Sequence, residues 1–226
     1  MSDAFDRRLA AVIDHTLLRP DADAREIDLL CDEALRFGFA SVCVQPCWVS
    51  HAARRVNGKV AVASVVAFPH GASVAAIKAA EAARARDDGA TELDVVASLA
   101  AIRAGDDARV RDEIAAVAAA APGAALKVIL ESALWPAERL AAAARAAVAG
   151  GATMVKTSTG FNGAGATDDA VRVLRAAVGP DVGVKASGGV RTRAQALALL
   201  AAGATRLGAS ASIAIVTDAA AAPSGY

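Results

Sequence analysis

The chain has 226 residues, and its 24 basic side chains balance 24 acidic ones, so its formal net charge is zero. That balance argues against a sequence-independent nucleic-acid binder or a protein that adheres to anionic membranes, because both need a surplus of positive charge. Alanine supplies 63 residues and aromatic residues only 4%, which favours a core of small and branched aliphatic side chains. The basic residues are uneven, with five lysines against 19 arginines.

Eight short segments rich in β-branched residues alternate with Ala- and Arg-rich amphipathic segments along the chain. The predicted strands span residues 12–18, 41–45, 60–68, 92–97, 126–131, 154–159, 182–187 and 205–210. The predicted helices lie near residues 23–37, 47–56, 73–87, 108–121, 136–149, 167–178 and 192–201. Three returns from helix to strand share the ending Gly-Ala-Thr, which indicates repeated βα units.

Eight such units predict an α/β fold, a single (β/α)8 TIM barrel over residues 1–226, in which residues 219–226 form a mobile tail. The alternative is an open doubly wound sheet. Such a sheet usually has fewer strands, and this chain has no GxGxxG motif after the first predicted strand. No segment reaches the ~18 uncharged apolar residues of a membrane span. Residues 1–8 are polar and lack the apolar core of a signal peptide, so we expect a cytoplasmic protein.

The cysteines and histidines do not predict a metal centre or a disulfide framework. Three cysteines is an odd number, and Cys43 and Cys47 have only His51 nearby as a further ligand. We therefore expect buried free thiols and no metal.

Lysines interrupt three consecutive predicted strands, near the strand ends where a barrel carries its active site. They are Lys127, Lys156 and Lys185, whereas Lys59 and Lys78 fall on predicted surface segments. Because a buried lysine is costly unless it is paired or neutral, each could form a structural ion pair. The candidate partners are Asp14, Glu92, Asp94 and Glu131.

Three lysines on neighbouring strands favour convergence at one barrel mouth instead. Burial and like charge there lower at least one pKa, and a neutral lysine can form a Schiff base with a carbonyl compound. The resulting iminium accepts an electron pair from an adjacent C–C bond. With a carboxylate for proton transfer, these residues predict a class I aldolase.

Two glycine-containing loops predict an anion site. Gly188-Gly189-Val190-Arg191-Thr192 follows predicted strand seven, and residues 207–212 end predicted strand eight and open a short helical segment. Gly160, after predicted strand six, could join them. Freed backbone N–H groups at these positions are typical of barrel phosphate sites.

Segments across nearly the whole chain resemble the deoxyribose-phosphate aldolases. In chain order they are residues 13–18, 68–71, 92–96, 126–131, 155–161, 184–192 and 208–210. The most specific are Lys-Thr-Ser-Thr-Gly at 156–160 and Lys-Ala-Ser-Gly-Gly-Val-Arg at 185–191. The resemblance implies reversible cleavage of 2-deoxy-D-ribose 5-phosphate to D-glyceraldehyde 3-phosphate and acetaldehyde. It implies no metal or organic cofactor, and a homodimer or larger homo-oligomer.

The resemblance also implies a role for each matching residue. Lys156 would form the Schiff base, Lys185 would lower its pKa, Asp94 would transfer protons through a water, and Lys127 would support Asp94. Substrate contacts are implied for Asp14, Thr16, Thr157, Gly160, Gly188, Gly189, Arg191, Gly208 and Ser210.

Members of the family differ at two positions that bear on the site. Phe161 stands where some family members have a lysine that helps to hold the phosphate. Tyr226 is the only tyrosine of the chain. It would either assist proton transfer at the acetaldehyde methyl group, from a tail folded over the site, or belong to a disordered end.

Two other functions remain open on the sequence alone. One is a phosphosugar isomerase on the same barrel, which would use a carboxylate base and keep Lys156 as an electrostatic clamp. The other is a catalytically silent barrel that binds sugar phosphates.

Overall fold

The computed structural model describes residues 5–219, and within them a parallel barrel closes in the order β1 to β8. The strands are β1 Ile13–Leu17, β2 Ser41–Val44, β3 Ala61–Val66, β4 Glu92–Val96, β5 Ala125–Ile129, β6 Met154–Lys156, β7 Gly183–Ser187 and β8 Arg206–Ala209. The predicted (β/α)8 TIM barrel is therefore confirmed. The tail predicted at 219–226 lies outside the described residues from position 220 onward, and so does Tyr226.

Helices connect the strands and cover the outside of the barrel. They are α1 Arg7–Ala10, α2 Ala24–Phe37, α3 Val49–Val56, α4 Ala75–Asp87, α5 Leu99–Ala104, α6 Asp107–Ala120, α7 Ala137–Ala149, α8 Asp168–Val178, α9 Arg193–Ala201 and α10 Ser212–Thr217. The sequence prediction missed α1 and α5. Ser98 caps α5 at its start, and Gly105 ends it in the left-handed conformation. In residues 5–219 no helix has the length and apolar character needed to cross a bilayer.

Predicted strand six is three residues too long, and the reason lies in Thr157. Its hydroxyl donates to Ser187 O at 3.2 Å and accepts from Ser187 N at 3.1 Å. Thr157 N still donates to Lys185 O at 3.0 Å, but beyond Thr157 side chains replace the backbone ladder, since Ser158 O accepts from Ser187 Oγ at 2.6 Å. The chain then leaves the barrel as a loop. The polar residues that follow belong to the barrel mouth and not to the sheet.

Small residues allow the helices to approach one another closely. A Cβ atom on Gly150, after α7, would lie 2.5 Å from Arg111 O of α6. Ala143, Ala144 and Ala147 on α7 are fully buried. The alanine-rich composition thus supplies closely packed helices, as the sequence indicates.

Two of the three cysteines are buried as expected, and the third is exposed. Cys31 and Cys43 are buried, and burial raises the pKa of Cys31 to about 11. Cys47 is exposed, so the expectation of a buried thiol is wrong there. The reason is its position in the single 3-10 turn after β2, residues Pro46–Trp48, on the surface of the barrel.

Lys78 is fully buried, which makes the predicted surface position wrong. Its Nζ donates to Val96 O at 2.8 Å and to Glu113 Oε1 at 2.9 Å, and Ser98 N donates to the same carboxylate oxygen at 2.9 Å. The pair joins α4, α6 and the end of β4. The burial of Lys78 could not be predicted from the sequence, because α4 has alanine on every face and no apolar stripe marks its buried side.

We expect Lys78→Met to lower the free energy of unfolding by about 3–5 kcal/mol, because it leaves the Glu113 carboxylate buried without its counter-ion. The measurement is urea unfolding followed by circular dichroism. Lys59→Met is the matched control, because Lys59 is an exposed lysine and its loss should change stability by less than about 0.5 kcal/mol. Equal small effects in the two variants would contradict a structural role for the buried pair.

Candidate active site

The interior of the barrel holds a network of charged side chains. The cations are Lys127, Lys156, Lys185 and Arg206, and the carboxylates are Asp14, Glu92 and Asp94. Residues on a strand point alternately inward and outward, and these seven share the inward side. The three lysines that the sequence singled out therefore lie together.

Asp94, on β4, is the carboxylate that contacts all three lysines. Its Oδ2 accepts hydrogen bonds from Lys156 Nζ and Lys185 Nζ, both at 2.7 Å. Lys127 Nζ lies 2.9 Å from Oδ1, an ion pair whose angle does not make it a hydrogen bond. Burial by itself would raise the pKa of Asp94, but the three lysines hold it well below its usual range. Asp94 is therefore an ionised acceptor.

Asp14, on β1, forms the second centre of the network. Its Oδ2 accepts from Lys185 Nζ, and from Lys127 Nζ at 2.9 Å, and its Oδ1 accepts from Arg206 Nη1 at 2.7 Å. Burial opposes ionisation, yet Lys127, Lys185 and Arg206 outweigh it and lower the pKa of Asp14. Lys127 also lies 2.6 Å from Glu92 Oε2.

The lysines differ in how many carboxylates surround them. Lys127 contacts Asp14, Glu92 and Asp94, Lys185 contacts Asp14 and Asp94, and Lys156 contacts Asp94 alone. Burial lowers each pKa, but the carboxylates reverse this for Lys127 and Lys185, whose pKa values are raised. For Lys156, burial wins over Asp94 and Lys185 adds to it, so the pKa is lowered. Of the three, Lys156 is the lysine that loses its proton most readily.

A cavity of about 110 Å³ opens above Lys156 at the carboxyl ends of the strands. Among the described lysines, Lys156 alone lines it, and Lys127 and Lys185 are fully buried beneath. Eight of the residues predicted to form the site line the cavity: Thr16, Lys156, Gly160, Gly188, Gly189, Arg191, Gly208 and Ser210. The strand ends thus present one amine to a pocket rich in glycine loops.

The glycine loops pack against each other, and one of their residues escaped the sequence prediction. Gly160 and Gly188 have φ of +83° and +85°, which suits glycine. A Cβ atom on Gly165 would lie 1.9 Å from Gly188 O, so the loop after β6 can rest on the loop after β7 only if residue 165 is glycine. The signal was present in the run Gly160, Gly163, Gly165.

Gly208 and Arg191 act differently from simple loop residues. A Cβ atom on Gly208 would lie 3.0 Å from Lys185 Cε, so this glycine makes room for the lysine beneath the cavity. Arg191 lines the cavity, but its backbone N–H donates to Gln195 Oε1 at 2.9 Å. That amide is therefore already used inside the loop, and the guanidinium is the group Arg191 offers to an anion.

Several predicted residues do not reach the cavity. Thr157 is buried, and its hydroxyl is held by the Ser187 backbone. Asp14 and Asp94 lie below, in the network. Glu131, a candidate partner for a lysine, instead accepts from Thr159 Oγ1 at 2.7 Å and from Asn162 Nδ2 at 3.2 Å, so it orders the loop after β6. The lysine pairing considered for Glu131 is wrong, because Glu131 lies two residues beyond the end of β5, where its left-handed backbone, φ +53°, opens the next turn and its carboxylate bonds to that loop.

Phe161 lines the apolar side of the cavity. Its ring meets that of Phe68 edge to face, with centroids 5.0 Å apart. Within residues 5–219 no group of three His, Cys, Asp or Glu side chains is arranged to hold a metal ion.

Comparison with known proteins identifies the family. The model of the family described as DeoC/LacD family aldolase matches residues 8–217. The chain belongs to this family. The resemblance drawn from the motifs is thereby confirmed, and the chain is an aldolase, a lyase, which leaves the isomerase hypothesis without support.

Individual proteins similar to this aldolase are named deoxyribose-phosphate aldolases. A deoxyribose-phosphate aldolase of Rhodospirillum rubrum is 55% identical over 218 residues, which cover 96% of this chain and 92% of the relative. Deoxyribose-phosphate aldolase 1 of Bacillus licheniformis is 49% identical over 212 residues, or 93% and 95% of the two chains. A solved tetrameric deoxyribose phosphate aldolase from Aeropyrum pernix superposes with a TM-score of 0.86 at 34% identity and covers 94% of this chain and 90% of that one.

Proposed function

We propose that this aldolase reversibly cleaves 2-deoxy-D-ribose 5-phosphate to D-glyceraldehyde 3-phosphate and acetaldehyde through a Schiff base on Lys156. The observation that carries the proposal is the position of Lys156. Its amine has the fewest carboxylate neighbours of the three interior lysines, and among the described lysines it alone lines the cavity. The names of the relatives supply the substrate.

The chemistry begins at the aldehyde carbon of the open-chain sugar. Neutral Lys156 Nζ adds to C1, and loss of water gives a protonated imine. A base removes the proton of the C3 hydroxyl, the C2–C3 bond breaks, and its electron pair moves into the iminium to form an enamine. Glyceraldehyde 3-phosphate leaves, C2 takes up a proton, and water hydrolyses the imine to acetaldehyde and free Lys156.

The residues beneath the cavity serve the proton transfers. Asp94 is ionised and 2.7 Å from Lys156 Nζ, which suits a carboxylate that relays a proton through a water between C3 and C2. Lys127 holds Asp94 in place, and Asp14 extends the relay through Lys185. Thr16, whose hydroxyl donates to Asp14 O at 2.8 Å, lines the cavity beside the sugar. Tyr226 belongs to the proposal as the group that assists protonation at C2.

The glycine loops suit the phosphate end of the substrate. Gly160, Gly188 and Gly189 offer backbone N–H groups at the cavity wall, and Arg191 brings a positive charge. Gly208 and Ser210 complete the wall, and Thr157 acts indirectly by holding the loop after β7. Phe161 makes one side of the wall apolar, so the phosphate is held by amides and one guanidinium.

Trapping of the Schiff base tests the proposal. The folded protein is incubated with acetaldehyde, reduced with borohydride, and digested, and the adduct is mapped by mass spectrometry. We expect modification at Lys156 and none at Lys59, the exposed lysine. Absence of any adduct in protein shown to be folded would reject the Schiff-base mechanism.

Lys185→Leu should move the acidic limb of the kcat/KM profile to higher pH. Lys185 is a cation beside Lys156 and lowers the pKa of that amine, so its removal raises the pKa and less Lys156 is neutral at a given pH. The measurement is kcat/KM for deoxyribose 5-phosphate across pH, with Lys59→Leu as the control. An acidic limb that stays in place in the active variant contradicts this role.

Assembly and location complete the proposal. We propose a homodimer or larger homo-oligomer in the cytoplasm, acting on small phosphosugars and aldehydes without metal, organic cofactor, nucleic acid or membrane. A charged phosphosugar does not cross a bilayer unaided, so the enzyme is best placed where such substrates are made. The Aeropyrum pernix relative is tetrameric, and Leu29, Val74 and Ile77 are exposed apolar side chains that an interface would cover. Analytical ultracentrifugation gives the assembly state.

A further inference from the structure

The end of the barrel opposite the cavity carries one cation and one carboxylate that the mechanism does not use. Glu92 and Arg206 are the first residues of β4 and β8, whereas the cavity lies at the carboxyl ends of the strands. Arg206 Nη1 donates to Asp14 Oδ1 at 2.7 Å, and Arg206 Nη2 donates to Glu92 Oε1 at 3.4 Å. Neither residue lines the cavity, so neither contacts a substrate bound there.

The titratable and charged groups of the interior come from seven of the eight strands within residues 5–219. They are Asp14 on β1, Cys43 on β2, Glu92 and Asp94 on β4, Lys127 on β5, Lys156 on β6, Lys185 on β7 and Arg206 on β8. The remaining strand, β3, has no titratable side chain. Because the Cys43 thiol is buried beside Asp94, its pKa is raised and it stays neutral.

Full ionisation of this set would leave an uncompensated positive charge. Four cations face three carboxylates among the described interior residues. An unpaired charge in a buried site is costly, so release of one proton from one lysine is favoured. Without Arg206 the set would be balanced with every lysine charged. Without Glu92 the excess would grow.

The contacts also decide which lysine loses its proton. Arg206 takes Asp14 Oδ1, which leaves Oδ2 to Lys127 and Lys185. Glu92 adds a further carboxylate to Lys127 at 2.6 Å. Both arrangements favour the protonated forms of Lys127 and Lys185. They leave Lys156 with Asp94 as its one carboxylate neighbour among the described residues.

We propose that Arg206 and Glu92 are positioning residues that set the charge balance of the buried network and so make Lys156 the lysine without a proton. The inference rests on the proposed Schiff-base role of Lys156 and goes beyond it. The two residues act in opposite directions. Loss of the Arg206 charge favours protonated Lys156, and loss of the Glu92 charge favours the neutral amine.

The experiment measures the rate of Lys156 modification against pH. Wild type, Arg206→Met, Glu92→Gln and the double variant are treated with limiting acetaldehyde and cyanoborohydride, and the Lys156 adduct is quantified by mass spectrometry. We expect the pH midpoint of the Lys156 modification rate to rise by on the order of one pH unit in Arg206→Met. In Glu92→Gln the same midpoint should fall by a similar amount. The double variant should return toward wild type. Arg206→Lys, which keeps the charge, should lie close to wild type.

The outcomes separate the two levels of the proposal. An adduct at Lys156 whose midpoint is unmoved in Glu92→Gln, or moves in the same direction in both single variants, overturns the charge-balance role alone. No adduct at Lys156 in the wild type at any pH overturns the proposed function itself. Thermal melts report folding, and if Arg206→Met does not fold, the downward shift in Glu92→Gln decides, since an unmoved or upward midpoint there rejects the inference.

Discussion

Lys156→Leu should lower kcat for deoxyribose 5-phosphate cleavage by on the order of 10⁴-fold or more, the loss expected when a covalent nucleophile is removed. Leucine cannot form the imine, and no other described lysine lines the cavity. The coupled assay that follows release of glyceraldehyde 3-phosphate measures the effect.

The fold of this variant should survive. Lys156 is buried with a lowered pKa, so its ammonium form adds little to stability, and Asp94 keeps Lys185 and Lys127 as counter-ions. Leucine fills the space with apolar atoms. We therefore expect an unchanged circular dichroism spectrum and a Tm no lower than that of the wild type. Lys156→Arg is a second inactive variant, since its guanidinium stays charged and cannot form a Schiff base. Substantial activity in either variant would contradict the assignment.

The barrel was predictable because its signals are local. β-branched strands, glycine at the helix ends and repeated Gly-Ala-Thr phrases are read from neighbouring residues. Lys156 could also be recognised from the sequence, because a lysine on a strand is conspicuous in a chain that has 19 arginines and five lysines. Arginine stays charged and could not replace a lysine that must lose its proton.

Asp14, Glu92 and Asp94 were named from the sequence as partners of the lysines, and they are. Which carboxylate contacts which lysine was not predictable, because it depends on residues far apart in the chain. Lys127 and Asp14 are separated by 113 positions, and Arg206 and Asp14 by 192. Arg206 also has the commonest basic residue type of this chain and stands at the first position of its strand, so no local signal marks it. The loop contact of Gly165 with Gly188 needs the closed barrel, which brings the ends of β6 and β7 side by side.

Asp94→Asn should separate formation of the Schiff base from the steps that follow it. The amide cannot relay protons, so we expect C–C cleavage to slow by about 10²- to 10⁴-fold, the range for loss of a general acid–base group. Lys156 keeps its amine and its place at the cavity, and loss of a neighbouring carboxylate lowers its pKa further. The borohydride-trapped adduct with acetaldehyde should therefore still form.

The same substitution should destabilise the fold, which provides an independent check. The asparagine amide places an N–H donor or a weak acceptor against lysines at 2.7 to 2.9 Å and leaves four cations facing two carboxylates among the described interior residues. Breaking a buried ion network in this way costs about 3–5 kcal/mol of unfolding free energy.

Exchange of the acetaldehyde methyl protons with deuterated solvent, followed by NMR, isolates the proton-transfer step of the Asp94→Asn variant. The control is Asp87→Asn, which changes an exposed carboxylate on α4. If Asp94→Asn exchanged these protons at the wild-type rate while it still formed the adduct, another group would have to carry the proton.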